Sequence, residues 1–194
     1  MPINHDVAIE AFRTVLRFVG EDPNREGIVD TPKRWIAAMV EMTSGHDVDI
    51  AKLLSVNFDS GNYDEVICVN RIAYTSMCEH HLLPFMGHAS VAYLPSQNED
   101  GRFRVVGLSK LPRLVDAYAR RLQLQEQLTV QIADAIDLHL KPRGVGVMLH
   151  GEHSCASCRG VRKAGMDMVT SVLRGELRTD AAMRAEVLSM MKGT

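Results

Sequence analysis

Residues 124–150, LQEQLTVQIADAIDLHLKPRGVGVMLH, contain the change of period that decides the fold. Leu124, Leu128, Ile132, Ile136 and Leu140 recur at strict i+4 spacing, the stripe of one long amphipathic helix. Lys141-Pro142-Arg143-Gly144 stops that helix, because proline cannot continue it and glycine suits the turn beyond. From Val145 the period becomes two: Val145, Val147 and Leu149 alternate with Gly146, Met148 and His150, as along a strand. A long helix running into a strand across a short stop reads as a mixed domain.

Working outward, Val66 to Thr75, His88 to Leu94 and Arg102 to Val106 are rich in β-formers and are expected to be strands, with Pro95 to Gly101 as a polar turn. Ser109 is expected to cap a helix reaching about Arg120. Near the N-terminus, Asp6 to Val19 carries a broad apolar face, and Thr31 then Pro32 reads as an N-cap with a first-turn proline before the stripe Trp35, Met39, Met42. Met166 to Leu173 completes the sheet, and Asp180 caps a last helix bearing Met183, Val187 and Met190. No repeat or low-complexity tract interrupts this order, so the expectation is one α+β domain.

Composition sets bounds on function. The 194 residues include 22 Lys+Arg against 24 Asp+Glu, a formal charge of -2, and 46% are apolar. Such a chain buries roughly two-thirds of its unfolded surface and needs no disulfide staples. Near-neutral charge excludes binding nucleic acid or an anionic membrane through bulk charge, so any polyanion it holds must be small. There is no run of about 18 apolar residues, and Met1 to Glu10 lacks the basic and apolar regions of a signal peptide. A cytoplasmic location is expected, where Cys68, Cys78, Cys155 and Cys158 would remain reduced and serve chemistry or metal binding.

Two cysteine clusters carry that chemistry. Cys78-Glu79-His80-His81 places a thiolate and two imidazoles within four residues just after a strand, and Cys155 and Cys158 follow another strand as a C-x2-C pair. Mixed sulfur and nitrogen donors at this spacing suit Zn2+ in a tetrahedron. For a single His or Cys the plain reading, a satisfied surface histidine or a small buried hydrophobe, is the better one; two clusters at ligand spacing reverse it. Cys78, His81, Cys155 and Cys158 could close a structural Cys3His site, making the protein a zinc-stabilised module. Alternatively, three ligands leave a position at which the metal can activate water. His80 and His153, beside these residues, favour the open site because each could transfer protons without binding metal. In Gly107-Leu108-Ser109-Lys110-Leu111-Pro112-Arg113, two cations fall in the first turn of a helix, which suits a phosphate chain as well as it suits a solvated turn. Arg34, Arg159, Arg162 and Lys163 could feed the same anion pocket or lie on the surface. Gln125-Glu126 opens the long helix, where a carboxylate interacts favourably with the dipole.

Taken together, Thr75 to His81, Val106 to Arg113, Gln123 to Thr129 and Gly151 to Arg162 resemble the GTP cyclohydrolase I family in order and spacing, over about Asp6 to Leu177. The resemblance implies a tunnelling fold, an antiparallel sheet with helices on one side, assembled into a toroidal homodecamer with active sites between subunits. It implies an N-terminal helical region, 1–60, packing on a catalytic domain, 61–194, that ends in the C-terminal helix. The implied enzyme converts GTP and water to 7,8-dihydroneopterin triphosphate and formate, the entry to folate and other pterins or to 7-deazapurines. The family's zinc ligands fall on Cys78, His81 and Cys155, and its acid/base histidines on His80 and His153, with Ser109 near the ribose. Its guanine-recognising groups fall on Glu126 and Gln125, and its triphosphate contacts on Lys110, Arg113 and Arg159, with Arg34 supplied by an adjacent subunit. Cys158 stands where many relatives have another residue. The chain begins close to its first helix, without the longer extension of some relatives, which leaves a regulatory partner protein open. A tunnelling-fold enzyme acting on another purine or pterin is the remaining alternative.

Overall fold

The computed structural model describes residues 4–192, so residues 1–3 and 193–194, the outermost of the two expected regions, lie outside it. The chain divides between Ser44 and Gly45 into two units. In the first, α1 (His5–Phe18) is capped by Asn4, whose side chain accepts from the Asp6 amide at 3.1 Å. It pairs with α2 (Thr31–Met42) through Phe12 stacked on Trp35, ring centroids 4.5 Å apart. The expected cap of α2 is displaced by one residue: Asp30 occupies the N-cap position without a side-chain bond to the helix amides, and Thr31 already belongs to the helix. Pro32 lies in the first turn as expected, where its missing N–H costs nothing.

The second unit runs through a 3-10 turn (Ser44–Asp47), α3 (Ile50–Leu54), β1 (Asn57–Asp59), β2 (Ile67–Cys78), β3 (Pro84–Leu94), β4 (Arg104–Val106), α4 (Lys110–Ala119), β5 (Leu122–Gln123), α5 (Gln125–Leu140) and β6 (Gly144–His153). It continues with α6 (Ser154–Ser157), β7 (Asp167–Gly175), α7 (Glu176–Thr179) and α8 (Ala181–Lys192). The main sheet has the order β5-β2-β3-β6-β7, while β1 and β4 pair separately. Its four long strands are antiparallel, and the two-residue β5 lies parallel to β2. The α5 stop is made by Lys141 in the left-handed region, φ 47°, directly before Pro142. Asp180 caps α8 as expected, accepting from the Ala182 and Met183 amides.

Strands β3 and β6 are buried on both faces over residues 89–94 and 144–149, so each face needs a cover. On one face, Ala89, Val91, Tyr93, Val145, Val147 and Leu149 pack against α4 and α5, where Leu128, Ile132 and Ile136 are fully buried. Each of those three helical side chains contributes about 1.5–3 kcal/mol by leaving water. Ala92, Leu94, Met148 and Leu173 point the other way and are covered by Leu177, Val187 and Met191. Helix α8 therefore lies on the opposite face from α4 and α5, and the expected placement of all helices on one side does not hold. The cause is the second apolar face of β3 and β6, which would otherwise stay wet; Ser90 Oγ donates to the Met191 carbonyl at 2.8 Å and pins the helix there.

Candidate active site

The site forms at one end of the sheet, where β2 and β6 finish and β3 begins. After β2 the chain reverses tightly: the Cys78 amide donates to Leu83 O at 2.9 Å, the Leu82 amide returns to Cys78 O at 2.9 Å, and Leu82 takes φ 52°. The Glu79 amide donates to Gln123 O at 3.1 Å, tying the turn to β5. This reversal carries His81 back over the strand end, with its Nδ1 3.8 Å from Cys78 Sγ. Helix α6 starts as soon as β6 ends and supplies Cys155. One ligand atom from each of Cys78, His81 and Cys155 lies within 4.8 Å of the others, and this is the one such group among the described residues. A tetrahedral ion with bonds of about 2.3 Å to sulfur and about 2.0 Å to nitrogen needs neighbouring donors roughly 3.5–3.8 Å apart, so the set can close on zinc with shifts of up to about 1 Å. Burial, and then the neighbouring Cys78, holds the Cys155 thiol above its ordinary pKa, while Arg159 acts in the opposite sense. A cation between the sulfurs would reverse that balance.

Cys158 is exposed at the C-cap of α6 and outside this group of three ligand atoms. His80 is exposed and edge-on to His81, ring centroids 6.2 Å apart, and is likewise outside the group.

His153, the last residue of β6, faces the α5 side of the sheet. Its ring stacks on Phe85, centroids 4.5 Å apart and planes within 3°, because the two residues sit opposite each other in the β3–β6 register. Its Nε2 lies 3.0 Å from Gln125 Oε1. Burial lowers the His153 pKa, opposed by Glu126. Gln125 is fully buried, and its Nε2 donates to Met168 O at 2.8 Å, Leu149 O at 3.3 Å and Thr170 Oγ1 at 3.2 Å. The amide expected to meet guanine is thus occupied within the chain, whereas Glu126, one residue on, is exposed.

The cations are distributed differently. Ser109 is exposed in the N-cap position of α4 and makes no side-chain cap bond, while Lys110 and Arg113 occupy the first turn. Arg159 is exposed beyond α6 and close enough to Cys155 to influence its ionisation. Arg34 belongs to the first unit, on α2, where it pairs with Asp30 at 3.4 Å. Sequence reading missed Phe85, Thr129, Thr170 and Gly151 as parts of the site. Only Gly151 carried a signal, a glycine inside a strand.

A family model described as GTP cyclohydrolase I matches residues 8–192. The chain is 49% identical over 184 residues to GTP cyclohydrolase 1 of Mycobacteroides abscessus, covering 95% of this chain and 88% of that one. It is 45% identical over 192 residues to GTP cyclohydrolase 1 of Brevibacillus brevis, covering 99% and 100%, and 43% identical over 190 residues to that of Allorhizobium ampelinum, covering 97% and 92%.

Proposed function

Because the chain belongs to the GTP cyclohydrolase I family of hydrolases, we propose that it binds zinc through Cys78, His81 and Cys155 and converts GTP and water to 7,8-dihydroneopterin triphosphate and formate. The observation that carries this reading is the convergence of those three ligand atoms within 4.8 Å at the strand end where His153 is stacked in place. When bound, zinc supplies Lewis-acid activation of water. The rest falls to the side chains. Guanine C8 is a poor electrophile until N7 is protonated, and His153 is the group that gives that proton. The Glu126 carboxylate accepts from N1–H and the 2-amino group, a pattern adenine cannot offer. Opening of the imidazole ring leaves a formamide, whose hydrolysis releases formate. His80, with Ser109 beside the ribose, then moves the protons by which the sugar becomes a ketose and the freed amine closes the new ring.

Lys110, Arg113 and Arg159 hold the triphosphate, with Arg34 entering from a neighbouring copy. In this reading the antiparallel sheet is the building block of a tunnelling fold that closes into a toroidal homodecamer, and the enzyme acts in the cytoplasm at the head of folate, pterin or 7-deazapurine synthesis. The test is direct: zinc-loaded protein is incubated with GTP, formate is measured, and neopterin fluorescence is read after oxidation and dephosphorylation. Both products are expected in equal amounts. Stoichiometric zinc with neither product would overturn the proposal.

A further inference from the structure

We infer that Gln125 is a positioning residue for His153 rather than a contact for guanine, and that it commits His153 to carrying its hydrogen on Nε2, leaving Nδ1 as the nitrogen that exchanges protons with substrate. The inference rests on the reading of His153 as proton donor and deepens it. It follows from counting donors. Thr129 Oγ1 donates to the Gln125 main-chain carbonyl at 2.7 Å, and a hydroxyl has one proton. The 2.7 Å bond between Thr129 Oγ1 and Thr170 Oγ1 must then be donated by Thr170. With its own proton used, Thr170 can only accept from the Gln125 side chain at 3.2 Å, so the amide presents its NH2 group there. The carbonyls of Met168 and Leu149 demand the same orientation.

Oε1 is therefore the atom that faces His153 Nε2 at 3.0 Å, and since an amide oxygen only accepts, the ring nitrogen must donate. Stacking on Phe85 sets the plane of the imidazole, and the bond to Gln125 sets its rotation within that plane. A fully buried amide with both hydrogens used has no donor left for a substrate edge.

The experiment uses zinc-loaded, full-length protein carrying Gln125→Met, Gln125→Glu, Thr170→Val, His153→Ala, and each of the first three combined with His153→Ala. Bound zinc, kcat and KM are measured with GTP, and with inosine triphosphate, which lacks the 2-amino group. Gln125→Met is expected to lower kcat about 10- to 100-fold, the usual effect of misplacing a reacting group by about 1 Å, with KM and the GTP preference unchanged. Gln125→Glu should retain more activity, because a carboxyl oxygen still faces Nε2. In the His153→Ala background none of the three should lower kcat further. Losses that add to that of His153→Ala, or a raised KM with an altered GTP preference, would overturn the inference. If Gln125→Met does not fold, Thr170→Val, which only loosens the amide, decides by the same additivity. An unchanged kcat in His153→Ala alone would refute the role of His153 itself, and this inference with it.

Discussion

Gly151→Ala tests how tightly the site is packed, at a position whose nearest neighbours are Gln125 and Tyr74 rather than the metal ligands. A Cβ on Gly151 would collide with Gln125 Oε1 and lie 2.8 Å from the Tyr74 hydroxyl and 3.3 Å from Gln125 Cδ. Carbon and oxygen settle at about 3.3–3.6 Å in close contacts, so Tyr74 must retreat by roughly half an ångström and the amide oxygen by more. Neither is free to do so. Tyr74 donates to the His150 carbonyl at 3.1 Å, and Gln125 is held by Met168, Leu149 and Thr170. Overpacking of this kind costs about 1–3 kcal/mol, more than the roughly 0.4–1 kcal/mol that alanine returns by stiffening the unfolded chain. Net of that return the loss is up to about 2.6 kcal/mol, and at roughly 2–4 °C per kcal/mol for a chain of this size Tm should fall by up to about 10 °C. Displacing Oε1 also releases His153, so kcat should fall by about 10- to 100-fold. Bound zinc should stay stoichiometric, since no ligand touches Gly151. Calorimetry, metal analysis and the neopterin assay on the same preparation give all three numbers. Parental Tm and kcat together would show that Gln125 yields easily and would refute the locked network.

The other tests address separate parts of the molecule. Cys155→Ser should lose both zinc and activity while Cys158→Ser keeps stoichiometric zinc and most of the activity; equal zinc loss from the two would restore a four-ligand site. Glu126→Ala should lower kcat/KM for GTP by about a hundredfold with zinc retained, as expected for a charged acceptor of two hydrogen bonds, and parental turnover would refute the guanine assignment. Burial pushes the Cys68 thiol up to about 11 from 9.0, with Asn70 opposing. The unfolded chain therefore releases that proton first, and stability should fall as pH rises from about 9 through 11. Cys68→Ala should flatten that part of a urea-unfolding series at increasing pH, and an unchanged slope would count against the burial argument.

Much of the fold was legible where period alone decides it. The α5 stripe reappears within one residue of its expected bounds, and β6 begins one residue before the expected alternation and runs three past His150. Strand β3 begins at Pro84 rather than near His88, since the pairings of Met77 with Pro84 and Ser76 with Phe85 extend the ladder through residues whose own pattern is weak. Helix α6 and strand β5, four and two residues long, are too short to carry a periodic signal. The position of α8 was hidden for a different reason. Val145, Val147 and Leu149 announce one buried face, but Gly146 and Met148 do not announce a second, and only the three-dimensional pairing of Met191 with Gly146 and Ser90 shows that this face is covered too.

The candidate site divides along the same line. The candidate metal ligands are readable from spacing: Cys78 and His81 are separated by one tight turn, and Cys155 follows directly on a strand. The support for His153 is not readable, because its partners come from three other segments. Phe85 reaches it across the β3–β6 pairing, Gln125 and Thr129 from the first turns of α5, and Thr170 from β7. Gly151 belongs to the same set, since only the absence of a side chain lets Gln125 lie against β6. In the sequence these are a phenylalanine after a proline, a glutamine and threonine on a helix, a threonine in a strand and a glycine in a strand, each with an ordinary local explanation. The family resemblance assigns Gln125 to guanine, and burial assigns it to His153. Burial is the stronger argument here, because the same amide hydrogens cannot serve both Met168 and a guanine edge.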